Sequence, residues 1–400
     1  MMKIGIIREG KTPPDERVPL TPIQIKEISA AHPQLEIVVQ RSPIRRITDA
    51  EYEQEGVSMV DDVNDCDILI GVKEVPKENL IPNKTYFFFS HTIKMQPYNR
   101  DLLKKVMEKG ITLIDWECLT DERGNRLIGF GRYAGIVGAY NGFRAFGLKT
   151  KSFGLKEAHL CRDKDELDAE LRSISLPPMK ILLTGRGKVA KGSMETLAAL
   201  NIRKVSIDEY VAKEFDEPVY AQITFLDYFE RKDGSAWEAD HFFEFPEMYQ
   251  SKFMEYAAHT DFFIAGHYWD SEAPFLFTRE DARSEHFKIK LVADISCDID
   301  GPVASTLRPS TISDPFYGYD PQSETEAEFD APGAITVMAV DNLPCELPRD
   351  ASSDFGSMFT KSVLPHIVSN DKSGLLNRGS ITVNGAINES FSYLKEWVAD

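Results

Sequence analysis

The chain has 400 residues, with 46 basic against 64 acidic side chains and a formal net charge of -18, a balance that disfavours non-specific binding to nucleic acid or to anionic membranes. No apolar stretch reaches the roughly 20 residues a membrane span needs, and MMKIGIIREG has no long apolar core of a signal peptide, so a cytoplasmic, globular protein is expected. At 42% hydrophobic the chain is too long for one core and suggests two domains, while five scattered cysteines without CxxC spacing argue against a disulfide framework or a zinc site; no metal is expected.

In chain order, MKIGIIRE reads as a strand, TPIQIKEISAAH as a helix opened by Thr21 and Pro22, and LEIVVQ as a second strand. Between the first two, Arg17 lies in the Pro-rich loop REGKTPPDERVPLTP. A guanidinium there suits either a bidentate clamp on a substrate carboxylate or a salt bridge to Asp15 or Glu16. Three apolar runs then stop at ionisable residues: DILIGVKE at Lys73 and Glu74, TYFFFSH at His91, and ITLIDWE at Asp115 and Glu117. Continuous apolar runs mark strands buried on both faces, and open α/β sheets bind ligands beyond the carboxyl ends of such strands, so Lys, His and Glu are expected at one place. Lys73 reads as a surface lysine or as a desolvated base, and His91 as a core histidine or an acid–base group with Lys94 nearby. Glu74 and Glu117 could hold either one by charge.

FGRYAGIVGAYNGFRAFGLK has glycines interrupting an apolar helical pattern and reads either as a long interdomain helix, close-packed through its small residues, or as an ordinary core helix with costly glycines. A second βα set begins with KILLTGRGKVAKGSMETLAAL: a strand, a turn with Gly185 and Gly187, and a helix that carries Ala190 and Gly192. Glycine lets backbone approach a pyrophosphate, whose charge then sits at the helix N-terminus, so the stretch reads as a dinucleotide site, with a tight structural turn as the alternative. The next strand, IRKVSID, is expected to end near Ser206 and Asp208, about 20 residues on, where an acidic residue would grip the ribose of NAD. Ser206 with Arg186, Lys188, Arg203 and Lys204 instead suits the extra phosphate of NADP. Residues 208–252, acidic and aromatic, break the βα rhythm and read as an insertion with helices; ISDPFYGYDPQSETEAEFDAPG reads as a long loop. LVADISCDIDG ends a strand with Asp294, Ser296 and Asp298, ITVMAVDNLP ends another with Asp341 and Asn342, and the C-terminal piece looks helical and returns to the first domain.

Taken together, REGKTPPDERVPLTP, GVKE, SHTIKMQ, GFGRYAGIVG, LLTGRGKVAKG, DISCD and VDNLPCELPRDAS resemble the lysine-forming saccharopine dehydrogenase family, especially its lysine-ketoglutarate reductase branch, with alanine dehydrogenase and transhydrogenase more distant. The resemblance covers nearly the whole chain. It implies an α/β fold of two Rossmann-like doubly wound domains around a central cleft: 1–135 with 343–400 for substrate and catalysis, and 136–342 for the dinucleotide. It implies an enzyme interconverting saccharopine with L-lysine and 2-oxoglutarate at a secondary amine or imine, without the glutamate-forming module fused to some relatives. By motif, Lys73 resembles the amine base and His91 the acid–base group, tuned by Glu74 and Glu117. Arg17, Lys94, Gln96, Arg126 and Phe130 match substrate positions, and Gly185, Gly187, Lys188, Ser206, Tyr268, Ser296, Asp298, Asp341 and Asn342 fall on or near cofactor and active-site positions. Ser206 stands where the fungal enzymes have an aspartate for the ribose, which leans the cofactor from NAD toward NADP. Val189 and Gly266 replace the fungal disulfide pair, in keeping with a reduced compartment. The expected partners are small molecules, with no nucleic acid and no membrane, and a homodimer is the expected assembly. Two rival readings stand beside this one: oxidative deamination of a simpler amino acid such as alanine, and a dinucleotide-binding regulatory protein without turnover.

Overall fold

The apolar runs become parallel strands because alternate residues feed two cores. In the computed structural model, which describes residues 1–399, the first unit comprises Met1–Phe130 and the chain from Pro348 onward, and the second Gly131–Leu347. Six parallel strands open the first unit: β1 (Met2–Ile6), β2 (Leu35–Gln40), β3 (Ser58–Val60), β4 (Ile68–Lys73), β5 (Thr85–Phe89) and β6 (Thr112–Asp115). Ile70, Val72, Phe87 and Phe89 enter one core, Leu69, Tyr86 and Phe88 the other, so both faces are covered and nothing polar interrupts the run. The sheet order runs β6-β5-β4-β1-β2-β3. The order reverses at β1 and β4, so the loops carrying Arg17 and Lys73 leave from the topological switch point of this sheet. Helix α1 (Pro22–Ala31) starts where Thr21 and Gln24 form a capping box; α2 (Asp49–Gln54) and α3 (Pro97–Glu108) follow.

In the second unit, α4 (Gly131–Thr150), α5 (Lys164–Arg172), β7 (Lys180–Thr184) and α6 (Lys188–Ala199) come first. The chain continues through β8 (Arg203–Lys204), α7 (Ile207–Ala212), β9 (Val219–Ile223), β10 (Phe229–Arg231), β11 (Tyr249–Ser251) and β12 (Phe262–Ala265). It closes with β13 (Leu291–Asp294), β14 (Phe316–Asp320), β15 (Thr325–Ala327) and β16 (Ile335–Met338). The sheet order is β15-β14-β16-β13-β12-β7-β9-β8, parallel from β16 to β8. Helix α4 lies in this unit and packs on α6. A Cβ at Gly135 would stand 1.9 Å from the Val189 carbonyl oxygen, and one at Gly192 1.9 Å from that of Arg132, so the two helices meet backbone to backbone.

Three expectations are corrected. The strand after the glycine turn is only Arg203–Lys204, because the Ser206 hydroxyl accepts the Glu209 N–H at 3.2 Å and starts a helix there. The stretch from Asp208 keeps the βα rhythm through β9, which pairs with β7; what departs from it is the antiparallel β10–β11 pair with helix Ala239–Glu244, packed through Phe225, Trp237 and Phe242. The long loop is a β14–β15 hairpin on the sheet edge, since Tyr317 and Tyr319 alternate into the core and outweigh the flanking Pro, Gly and Asp. The chain then returns to the first unit through helix Pro348–Ser362 and adds β17 (Ser380–Val383) and β18 (Ala386–Ile387), with β17 antiparallel to β6.

Candidate active site

Beyond β5 and β6 the side chains converge on Glu117. Asp115 ends β6 and accepts the Glu117 N–H at 2.7 Å, turning the chain so that the Glu117 carboxylate lies beside the end of β5. There Glu117 Oε2 is 3.0 Å from His91 Nδ1, and Oε1 is 3.0 Å from an Arg126 nitrogen and 3.7 Å from Lys94 Nζ. Glu117 is buried, whereas Arg126 and Lys94 are about half exposed, with side-chain exposures of 54% and 50%. Burial works against its ionisation, yet the His91 hydrogen bond and the Lys94 and Arg126 charges prevail and hold the carboxyl at about 2. His91 sits in the left-handed region at φ 55° and its ring stacks on Phe89, 6.2 Å between centroids. Asp115 itself has no exposed surface and accepts Ser90 N–H at 2.8 Å and Ser90 Oγ–H at 2.5 Å.

A second cluster leaves β1 and β4. Arg17 grips Asp15 with two parallel bonds, Nε to Oδ1 at 2.9 Å and an Nη to Oδ2 at 2.6 Å, and both residues are 2% exposed. Of the two readings of Arg17, the ion pair with Asp15 is therefore present. Its guanidinium also lies 4.1 Å from the centre of the Phe130 ring, which stacks on Phe355. Although burial pushes the Asp15 carboxyl up, the Arg17 charge and hydrogen bonds outweigh it, bringing it down to about 2. Phe89 joins the clusters, its ring 6.1 Å from Phe130 on one side and stacked on His91 on the other. Lys73 pairs in register with Phe89, and its backbone N–H donates to Glu9 Oε2 at 2.9 Å; its charge helps keep Asp15 ionised. Glu9, which also accepts the Val72 N–H at 2.6 Å, was not singled out from the sequence. The signal was there: it ends the apolar run IGIIRE as Glu74 and Glu117 end theirs. Two candidates take other partners: Glu74 pairs with Lys11 at 2.6 Å, and Gln96, which precedes α3 without a side-chain bond to it, accepts from the exposed Tyr98 hydroxyl.

In the second unit the glycine turn has the shape a dinucleotide requires. Gly185 has φ 94°, and a Cβ there would stand 2.4 Å from the Gly266 carbonyl oxygen, so only glycine fits between β7 and the end of β12. Gly187 caps α6, whose first N–H groups carry the positive end of a twelve-residue helix. The residues present thus fit a pyrophosphate. Exposed Arg186 lies over the Phe225 ring at 5.5 Å, exposed Lys188 opens α6, and exposed Lys204 donates to Gln222 at 2.7 Å. Beyond β12, Thr184 Oγ1 meets the buried His267 Nδ1 at 2.6 Å, Tyr268 is exposed, and burial lowers the His267 ring to about 4. Ser296 is turned inward, donating to Asp294 Oδ1 at 2.6 Å, while Thr306 donates to Oδ2 at 2.7 Å. Asp298 is half-buried beyond β13, Asp341 is exposed, and the Asn342 carbonyl accepts the Cys345 N–H. No group of three or more His, Cys, Asp or Glu is placed to hold a metal among the described residues, and no helix is long and apolar enough to cross a membrane.

Residues 5–137 match the family described as alanine dehydrogenase/PNT, N-terminal domain. The chain is 30% identical over 441 residues to the mitochondrial alpha-aminoadipic semialdehyde synthase of Mus musculus, an alignment covering 98% of this chain and 47% of that protein. It thus spans about half the length of that relative. It is 24% identical over 381 residues to the saccharopine dehydrogenase (NAD(+), L-lysine-forming) of Yarrowia lipolytica, covering 90% of each. Among solved structures, an L-alanine dehydrogenase superposes with a TM-score of 0.63 at 15% identity, covering 99% of this chain and all of that one, and a transhydrogenase from Sinorhizobium meliloti with 0.56 at 14%, covering 96% and 98%. At those identities the superpositions show a shared fold.

Proposed function

We propose that this chain, which matches the alanine dehydrogenase/PNT N-terminal family over residues 5–137 and is similar to a saccharopine dehydrogenase and to alpha-aminoadipic semialdehyde synthases, is a nicotinamide-dependent oxidoreductase that interconverts saccharopine with L-lysine and 2-oxoglutarate. The observation that carries the reading is the His91–Glu117 pair, flanked by Lys94 and Arg126. One buried carboxylate faces three side chains able to carry positive charge, and that surplus of donors suits a substrate bearing several carboxylates. Lys73, at the end of β4 beside Phe89, would take the proton from the secondary amine. A bound nicotinamide supplies the hydride exchange with the substrate carbon. With Nδ1 held by Glu117, His91 has Nε2 left for exchange: it would take a proton from the water that adds to the imine, pass it to the carbinolamine nitrogen, and take the hydroxyl proton as the C–N bond breaks to leave the ketone. Lysine and 2-oxoglutarate then leave, and the reductive direction reverses each step.

Within this reading NADP(H) is the favoured cofactor. Ser206 is exposed where the fungal enzymes have an aspartate, and Arg186, Lys188 and Lys204 are cations on or near the same turn. The test is nicotinamide absorbance with NADPH or NADH, 2-oxoglutarate and lysine, run beside pyruvate and ammonia. Lysine-dependent oxidation, faster with NADPH, is expected; turnover with pyruvate and ammonia alone would move the chain to alanine dehydrogenase chemistry, and cofactor binding without turnover to a regulatory role.

A further inference from the structure

We propose that Asp115 is the positioning residue of this site, a single buried carboxylate that holds His91 and Glu117 in the mutual geometry proton transfer needs. The inference rests on the acid–base reading of His91 given above. Asp115 closes β6 opposite Phe88 of β5 and takes three donors: Oδ2 accepts Ser90 N–H and Ser90 Oγ–H, and Oδ1 accepts the Glu117 N–H. Ser90 precedes His91 in the chain, so one side chain is bonded to both segments that deliver the 3.0 Å His91–Glu117 contact.

His91 needs such a tether because its φ of 55° is one that a residue with a Cβ keeps only where the surroundings over-determine it. The tether is doubled. Ser90 Oγ also meets Thr92 Oγ1 at 2.8 Å and accepts the Thr92 N–H at 3.3 Å, while Asn99 of α3 donates to the His91 carbonyl at 3.3 Å. The strand itself asks only for an apolar residue at this register position, as at Leu113 and Ile114. A fully buried carboxylate with three donors exceeds that requirement, and what its bonds fix is the pair of turns that carry the acid–base residues.

Asp115→Asn in the full chain preserves volume but turns an amide group toward a backbone donor. Expected is a fall in kcat of about 10- to 100-fold, with KM for lysine and 2-oxoglutarate moved by less than about threefold, and displaced His91 ring resonances in 15N NMR spectra. Ser90→Ala removes the Oγ bonds to Asp115 and Thr92, leaves the Ser90 and Glu117 N–H bonds to Asp115 in place, and is expected to give the same changes at smaller size; it carries the test if Asp115→Asn does not fold. His91→Gln is the reference. If it is inactive while both variants keep parental kcat and His91 resonances, Asp115 has no positioning role. If His91→Gln turns over like the parent, the acid–base reading falls and takes this proposal with it.

Discussion

Glu117 and Asp15 are carboxylates whose folded-state pKa values, each about 2, lie below their ordinary 4.5 and 3.8. A depressed carboxylate adds stability above its unfolded pKa and loses it as pH falls through the folded one. Glu117→Gln is therefore expected to destabilise the protein by about 2 kcal/mol at neutral pH. In urea titrations, the gap to the parent should close as pH drops from near 4.5 toward 2. Arg17→Met leaves Asp15 buried without its bidentate partner, and a loss of about 3 kcal/mol or more is expected from the same measurement at pH 7. Lys73→Met is expected to lower turnover by about 10²- to 10⁴-fold if it is the amine base; full turnover would remove it from that role. The type and place of these residues were legible because each ends an apolar run or opens a loop next to one. Their partners were not: that Glu117 rather than Glu74 engages His91, and that Glu74 goes to Lys11, depends on how neighbouring strands end in space.

At the scale of elements, the tightest constraint is the α4–α6 contact. Gly192→Val would drive a side chain into the Arg132 carbonyl and force the helices apart, an overpacking cost of about 3 kcal/mol. Since Gly187 and Lys188 begin α6, the same variant is expected to weaken dinucleotide binding, read by quenching of protein fluorescence on NADPH addition; unchanged affinity would uncouple the helix packing from the turn. The small residues of α4 were visible in the sequence as glycines at helical spacing. The β14–β15 hairpin is masked in the sequence because its turn formers hide the alternation of Tyr317 and Tyr319 into the core. The strand after the glycine turn is shorter than its apolar pattern because Ser206 caps α7.

Over the whole molecule, a net charge of -18 predicts no retention on a DNA column at physiological salt, and retention there would contradict the small-molecule reading. Each unit has an eight-stranded sheet with a switch point, and the ionisable candidates of the first unit and the glycine turn of the second both leave from the carboxyl ends of strands. By itself the sequence determined the strands, the charged residues that end them and the glycine turn, because burial on two faces and the demands of φ > 0 are local pressures on residue type. Only the tertiary structure decided that Glu117 collects His91, Lys94 and Arg126, that Arg17 is spent on Asp15, that Asp115 ties two turns together, and that β17 runs antiparallel on β6. Those pairings join residues up to hundreds of positions apart through strand order and register, which no local pattern encodes.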